Sequence, residues 1–283
     1  MKKLTLLIVA FVLMFSLVAC EKGNDGELDP NVSANPQSTP ESTPGNELSQ
    51  EQLLDEVVKN AYKNGVYEME FSRKDSEKNT DTSARFNSQE KYTIKLNDTI
   101  TQFSGLGDSN GFISGLYYNN PDLYVFDSYS NKTSKLIGDD LNDFVDMMSQ
   151  LMVDIRLIVE SAKDITVTKL EDGSYGVTLL MDTSKELSFL TAFINESVFG
   201  LPFSLSTTEC KANLVVSEDC YVKSINVECV REGSDLFTDF QGNETVFFVG
   251  YSITYKLSYA VADRTIDPPE GMDIENSEIL DEG

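Results

Sequence analysis

Hydrophobic residues along the chain keep two periods, and the points where one gives way to the other mark its elements. From Leu53 onward the spacing is helical, with Leu53, Leu54, Val57, Val58 and Ala61 on one face. Ser49 and Gln52 form an S-x-x-Q capping box ahead of it, Leu48 and Leu53 stand where a hydrophobic staple would, and Gly65 is placed to end the helix as a C′ glycine. The period then drops to two. Tyr67, Met69 and Phe71 point one way and Glu68 and Glu70 the other, as in a half-buried strand. Similar runs at 91–96, 99–103, 112–118 and 123–126, separated by Asn, Asp, Ser and Gly, predict an antiparallel meander.

The longest run at helical spacing covers 139–162. Leu141, Phe144, Val145, Met147, Met148, Leu151, Met152, Ile155, Ile158 and Val159 span a wider arc than a surface helix needs, so this helix is expected to be deeply packed. Asp143, Asp146, Asp154 and Arg156 rule out a membrane span. Its methionines suit an adaptable apolar surface, although the same pattern also describes an ordinary core helix. Two strands, 165–170 and 175–181, flank a turn at Glu171-Asp172-Gly173. A third helix is expected from Thr183, whose T-x-x-E spacing to Glu186 is another capping box, with Leu187, Leu190, Phe193 and Ile194 inward. Long strands follow at 206–216, 221–230 and 245–261, the first turn between them being Ser217-Glu218-Asp219, and the acidic stretch after Asp267 should fray. The fold class is α+β, a curved antiparallel sheet with about three helices packed on its concave face.

Residues 1–20, MKKLTLLIVAFVLMFSLVAC, combine a basic start with an apolar stretch and read as an export signal. Leu17-Val18-Ala19-Cys20 resembles the bacterial lipobox, which implies lipidation of Cys20 and an anchor at the extracytoplasmic face of the cell membrane. An uncleaved anchor, or a simple secretory peptide with a coincidental Cys, is the alternative, but the run is at the short limit for a span. Residues 21–46 hold Pro30, Pro36, Pro40 and Pro44 and almost nothing apolar, a disordered tether reaching roughly 30 Å as a flexible coil. The expected organisation is a signal at 1–19, lipidated Cys20 and tether to 47, one domain at 48–270 and an acidic tail at 271–283.

Composition then narrows the chemistry. The 283 residues include 22 Lys and Arg, 47 Asp and Glu, no His and no Trp, for a net charge of −25. Cleavage before Cys20 removes Lys2 and Lys3 and no acid, leaving 20 basic against 47 acidic residues, a net of −27. Without His there is no Ser-His-Asp or Cys-His catalytic system and no His-bearing zinc site. Such acidity opposes sequence-independent nucleic-acid binding. Asp139-Asp140 with Asp143, and Asp108-Ser109-Asn110-Gly111, lack calcium-loop spacing and read as helix-start charge and a turn. No aromatic-lined acid pair stands out. Neither an enzyme nor a cofactor or metal is therefore expected. Beyond Cys20 there are Cys210, Cys220 and Cys229. A two-residue loop would pair Ser217 with Cys220 and Cys210 with Val227, leaving Cys229 a diagonal neighbour of Cys210 in poor disulfide geometry. All three are expected to be buried free thiols.

The opening helix running into Val66-Tyr67-Glu68-Met69-Glu70-Phe71, the hairpin from Leu116-Tyr117-Tyr118 through Asn119-Asn120-Pro121-Asp122 to Leu123-Tyr124-Val125-Phe126, the turn Glu171-Asp172-Gly173-Ser174-Tyr175 and the closing Ile266-Asp267-Pro268-Pro269-Glu270 together resemble the LolA/LppX-type lipoprotein-carrier superfamily. The resemblance implies a half-open β-barrel lidded by helices. It also implies binding of acyl chains or lipidated molecules between sheet and helices, or, in a sensor branch, recognition of a lipoprotein or a membrane partner; the alternative reading is an anchored interaction or sensor module that recognises a protein partner at the cell surface and has no ligand cavity. It brings no catalytic residues. The candidate ligand contacts come from the over-apolar helix: Phe144, Met148, Leu151, Met152 and Ile155. A carrier of that family shuttles, whereas Cys20 would hold this chain to one membrane, so local handling of lipid fits better than transport.

Overall fold

The computed structural model describes residues 48–79, 87–109, 112–137, 152–185, 187–189, 197–198, 201–202, 205–238 and 244–280. The Cys20 segment and the candidate contacts Phe144, Met148 and Leu151 lie outside them.

Helix α1, Gln50–Asn60, starts where the capping box places it: Gln52 N donates to Ser49 Oγ at 3.2 Å and Ser49 N to Gln52 Oε1 at 3.0 Å. Its end falls earlier than expected. Ala61, at φ 29°, is the cap, its N–H bonding Val57 O at 2.8 Å. Gly65 instead opens β1, where an added Cβ would come 2.5 Å from the Tyr259 ring. Leu53, Leu54 and Val57 face the core.

Twelve strands form one sheet in the order β14-β6-β5-β4-β3-β2-β1-β13-β12-β11-β8-β7. The strands are β1 Gly65–Asp75, β2 Ser88–Asn97, β3 Thr99–Ser109, β4 Phe112–Asn119, β5 Asp122–Asp127, β6 Lys132–Leu136, β7 Ala162–Lys169, β8 Tyr175–Met181, β11 Ser206–Val216, β12 Val222–Thr238, β13 Glu244–Val261 and β14 Glu278–Leu280. Short strands β9, Ser197–Val198, and β10, Leu201–Pro202, pair separately. Every pairing in the large sheet is antiparallel except β14 on β6. The expected antiparallel sheet is thus present, open at β14 and β7. It runs from the first strand to the last long one through the β1–β13 pair, which joins the two ends of the domain.

Because side chains alternate, the register sorts residues into rows on one face. One row reads Leu123, Tyr118, Phe103, Ile94, Tyr67, and the next Leu116, Gly105, Tyr92, Met69, Leu257, Ile225, Leu214, Val177. Nearly all are buried, as is the third row, Phe71, Tyr255, Val227, Ala212, Leu179. Each large apolar side chain so placed contributes about 1.5–3 kcal/mol. Gly105 is small for a reason: a Cβ there would lie 1.7 Å from Tyr92 Cδ1, so the ring lies across the glycine.

Helices differ from expectation. Of the run at 139–162, residues 139–151 lie outside the described set. The remainder is helical only in α2, Ile155–Glu160, and Ala162 already begins β7. Polar groups set both limits. Asp154, extended at φ −66° and ψ 108°, accepts from Arg156 N at 2.9 Å and starts a fresh helix, while Tyr62 Oη donates to Val153 O at 2.7 Å, giving that carbonyl a partner outside any helix. After the helix, Asp182 N takes Ser161 O at 2.8 Å. Near Thr183, the Asp182 carboxylate accepts from Ser184 N at 3.2 Å and Ser184 Oγ at 2.6 Å, while the expected capping partner Glu186 and the inward residues Leu190, Phe193 and Ile194 of the third helix lie outside the described residues. Among the described residues there are therefore two α-helices, α1 and α2, packed on each other and on the apolar rows.

The β11–β12 hairpin also departs from the simple register. Cys220 adopts φ 58°, Ser217 N bonds Tyr221 O, and a second irregularity sits between Val215 and Val216, so the pairing shifts by two residues from the expected one. Cys210 then lies opposite Cys229, not Val227. The two form a disulfide with Cα atoms 4.1 Å apart, and Cys220 remains a buried free thiol.

The stretch after Asp267 is held rather than frayed. Ile266 is buried, Tyr117 Oη donates to Ile266 O at 3.3 Å and Asp273 N to Thr133 Oγ1 at 3.0 Å. β14 then pairs with β6 beside the Lys132–Glu278 ion pair at 2.8 Å.

Candidate ligand-binding site

The apolar rows continue toward the ends of β8 and β11, where β8 stops at Met181 while β11 runs on. The strand that leaves opens a cavity of about 510 Å³. Met181, Cys210, Cys229 and Ile253 reach it from the apolar face, and Leu180 and Lys163 from its edge. Its charged lining is two lysines, Lys163 and Lys211, and two glutamates, Glu209 and Glu228, and Leu180, Lys211, Glu228 and Thr254 form one register row on the opposite face of the sheet, so the opening is polar and balanced in charge. The volume lies within the range of small-molecule sites.

One step further along the strands, about 7 Å away, the face changes character. There Arg231 lies opposite Tyr251 on β13, while Arg73 lies in the cavity's own row, opposite Ile253. Arg231 is buried and donates to Leu205 O at 2.8 Å, and Arg73 stacks 5.1 Å from the Tyr251 ring centre. Glu90, on the same face opposite Phe71, accepts from Tyr92 Oη at 2.6 Å. Burial raises the Glu90 carboxyl above its ordinary range, against the Tyr92 hydrogen bond and the Arg73 charge, and it lowers the Arg73 guanidinium. These groups were not singled out from the sequence. The signal was there in the alternation Tyr67, Met69, Phe71, whose next member is Arg73.

Of the five candidate contacts, Ile155 is buried at 1% exposure and Met152 is half-buried, both packed in the core beneath the sheet. Neither lines the cavity. The other three lie outside the described residues. The cavity-facing pair Cys210 and Cys229 escaped notice as a pair because a two-residue shift of register does not show in spacing. Among the described residues no three His, Cys, Asp or Glu side chains gather as metal ligands, and no helix is long and apolar enough to cross a membrane.

No family model matches the chain, and no curated protein is similar to it. Among solved structures, the crystal structure of a LolA superfamily protein from Nitrosomonas europaea is similar over 76% of this chain and 95% of that one, at 10% identity and a TM-score of 0.25.

Proposed function

We propose that the protein is a membrane-anchored, extracytoplasmic, non-enzymatic module that binds a hydrophobic ligand, an acyl chain or lipid. In this reading the lipid on Cys20 fixes it to the membrane, and the open sheet is the half-open barrel that its sequence resembles. The observation that carries the reading is the cavity of about 510 Å³ at the end of a continuous apolar sheet face. Rows of buried apolar side chains lead up to it, and the two lysines and two glutamates of its lining would keep the opening wet while a chain occupies the apolar part.

Two experiments test it. Native mass spectrometry of the full chain purified from its own host should find a lipid mass, and a fluorescent fatty acid should bind. Leu180→Asp, at an exposed apolar position of the lining, should weaken that binding by about tenfold by replacing an apolar contact with a charge. A lipid-free mass with no fatty-acid binding overturns the reading. For the anchor, Cys20→Ser should release the protein from membranes, and retention would show another attachment.

A second reading is an anchored interaction module that recognises a protein and has no ligand cavity. The specific observation favouring it is the packing of Tyr67, Phe103, Ile94 and Tyr255, each at 0–1% exposure, which fills much of the face with the protein's own side chains. A lipid-free mass together with capture of one defined surface protein would select it.

A further inference from the structure

A second cavity, of about 640 Å³, lies at the ends of β2, β3 and β4, away from the first. Lys95, Gln102 and Asn119 share a register row there, each one residue removed from the inward-facing Ile94, Phe103 and Tyr118. This site is separate from the apolar cavity and does not depend on what that cavity binds.

Its lining is unusual for a chain of net charge −25. The charged lining residues, Lys95 and Asp263, pair at 2.5 Å and leave the cavity neutral. The remaining polar groups are mostly amides: Asn64, Asn97, Gln102, Asn119 and Asn120. Their carbonyls are partly committed. Asn97 Oδ1 accepts from Asn64 Nδ2 at 3.4 Å and Asn119 Oδ1 from Gln102 Nε2 at 3.0 Å, bonds that leave the Nδ2 groups of Asn97 and Asn119 as donors. Gln102 Oε1 is a buried acceptor without a hydrogen-bond partner. Leu96 and Ala262 are almost the whole of the apolar lining.

We propose that this cavity binds an uncharged saccharide. A neutral, amide-rich wall is matched by a ligand dense in hydroxyl oxygens, each able to accept from an amide N–H and donate to an amide carbonyl. An anion would meet a lysine already paired and the Asp263 carboxylate beside it. An acyl chain would find an apolar wall broken throughout by amide groups that it cannot pair. A peptide adding as a strand has no place, since β1 to β4 are each paired on both sides.

The test is saturation-transfer NMR on the full chain, held in a detergent without a sugar head group, with maltotriose and diacetylchitobiose as probes and trialanine as the peptide control. At least one saccharide should give transfer, trialanine should not, and Asn97→Ala/Asn119→Ala should weaken saccharide binding by about tenfold for two lost hydrogen bonds. Both positions are exposed, and an unchanged circular dichroism spectrum would confirm the variant's fold. Absence of transfer from both saccharides overturns the proposal, as does binding that the double variant leaves unchanged. Equal binding of trialanine, lost in the same variant, would assign the cavity to peptide and overturn it too.

Discussion

Glu90 sits among aromatic rings, opposite Phe71 and bonded by Tyr92, and burial there favours its neutral form. Its folded pKa lies above the ordinary value of 4.5, so the folded chain holds this proton more tightly than the unfolded one. The sign follows: this group costs no stability below about pH 4.5, and the cost grows as pH rises to the folded pKa. Glu90→Gln keeps an acceptor for Tyr92 and removes the charge. It should be more stable than the parent at pH 7, with the advantage gone below about pH 4.5, as read by urea unfolding at both pH values. A variant less stable at pH 7 would mean that the Arg73 attraction outweighs burial. At the same scale, the Cys210–Cys229 bridge closes a loop of sequence separation 19. Its reduction should lower unfolding free energy by about 3 kcal/mol through the unfolded chain's regained freedom. Denaturant titrations with and without reductant measure this, and no difference would place the two cysteines as free thiols.

Elements were legible in proportion to how local their causes are. The start of α1 could be read because Ser49 and Gln52 hold each other within one turn, and the strands because alternation survives any register. The limits of α2 could not, because Asp154 competes with a continuous apolar arc and Val153 O is bonded by Tyr62, 91 residues away. Pairing of Cys210 with Cys229 depended on a left-handed residue at Cys220 that carries no glycine or asparagine to announce it. Gly105 was equally silent, since nothing in spacing tells that the Tyr92 ring must cross it. That crossing yields a prediction for the β2–β3 pair. Gly105→Ala must push Tyr92 off β3 and away from Phe103, whose ring centre lies 4.8 Å from its own. The cost should be about 1–3 kcal/mol, an overpacking effect visible in thermal unfolding. Gly105→Ala with Tyr92→Leu, which shortens the crossing side chain, should recover part of it.

At the scale of the whole molecule, the apolar face was foreseeable and the cavities were not. A face is the sum of alternating positions, each visible in its own strand, whereas both cavities form where strands end or part company, at Met181 beside β11 and at Asn97 and Asn119. Charge acts at this scale as well. With 47 acidic against 22 basic residues, most ion pairs lie on the surface, such as Lys59–Glu56 and Lys132–Glu278, and contribute little each, while the surplus acids repel one another across the exterior. Salt should therefore raise stability rather than lower it. The Debye length falls from about 30 Å at 0.01 M to about 10 Å at 0.1 M and 3 Å at 1 M, so most of the repulsion should be relieved in the first tenfold step. The melting temperature in NaCl should rise steeply up to about 0.1 M and then level off, since the later rise expected from salting-out is small for chloride compared with sulfate. A melting temperature that falls over the first step would mean that attractive pairs outweigh the surplus charge, and the acidic exterior would then have to be arranged as networks rather than as a uniform load.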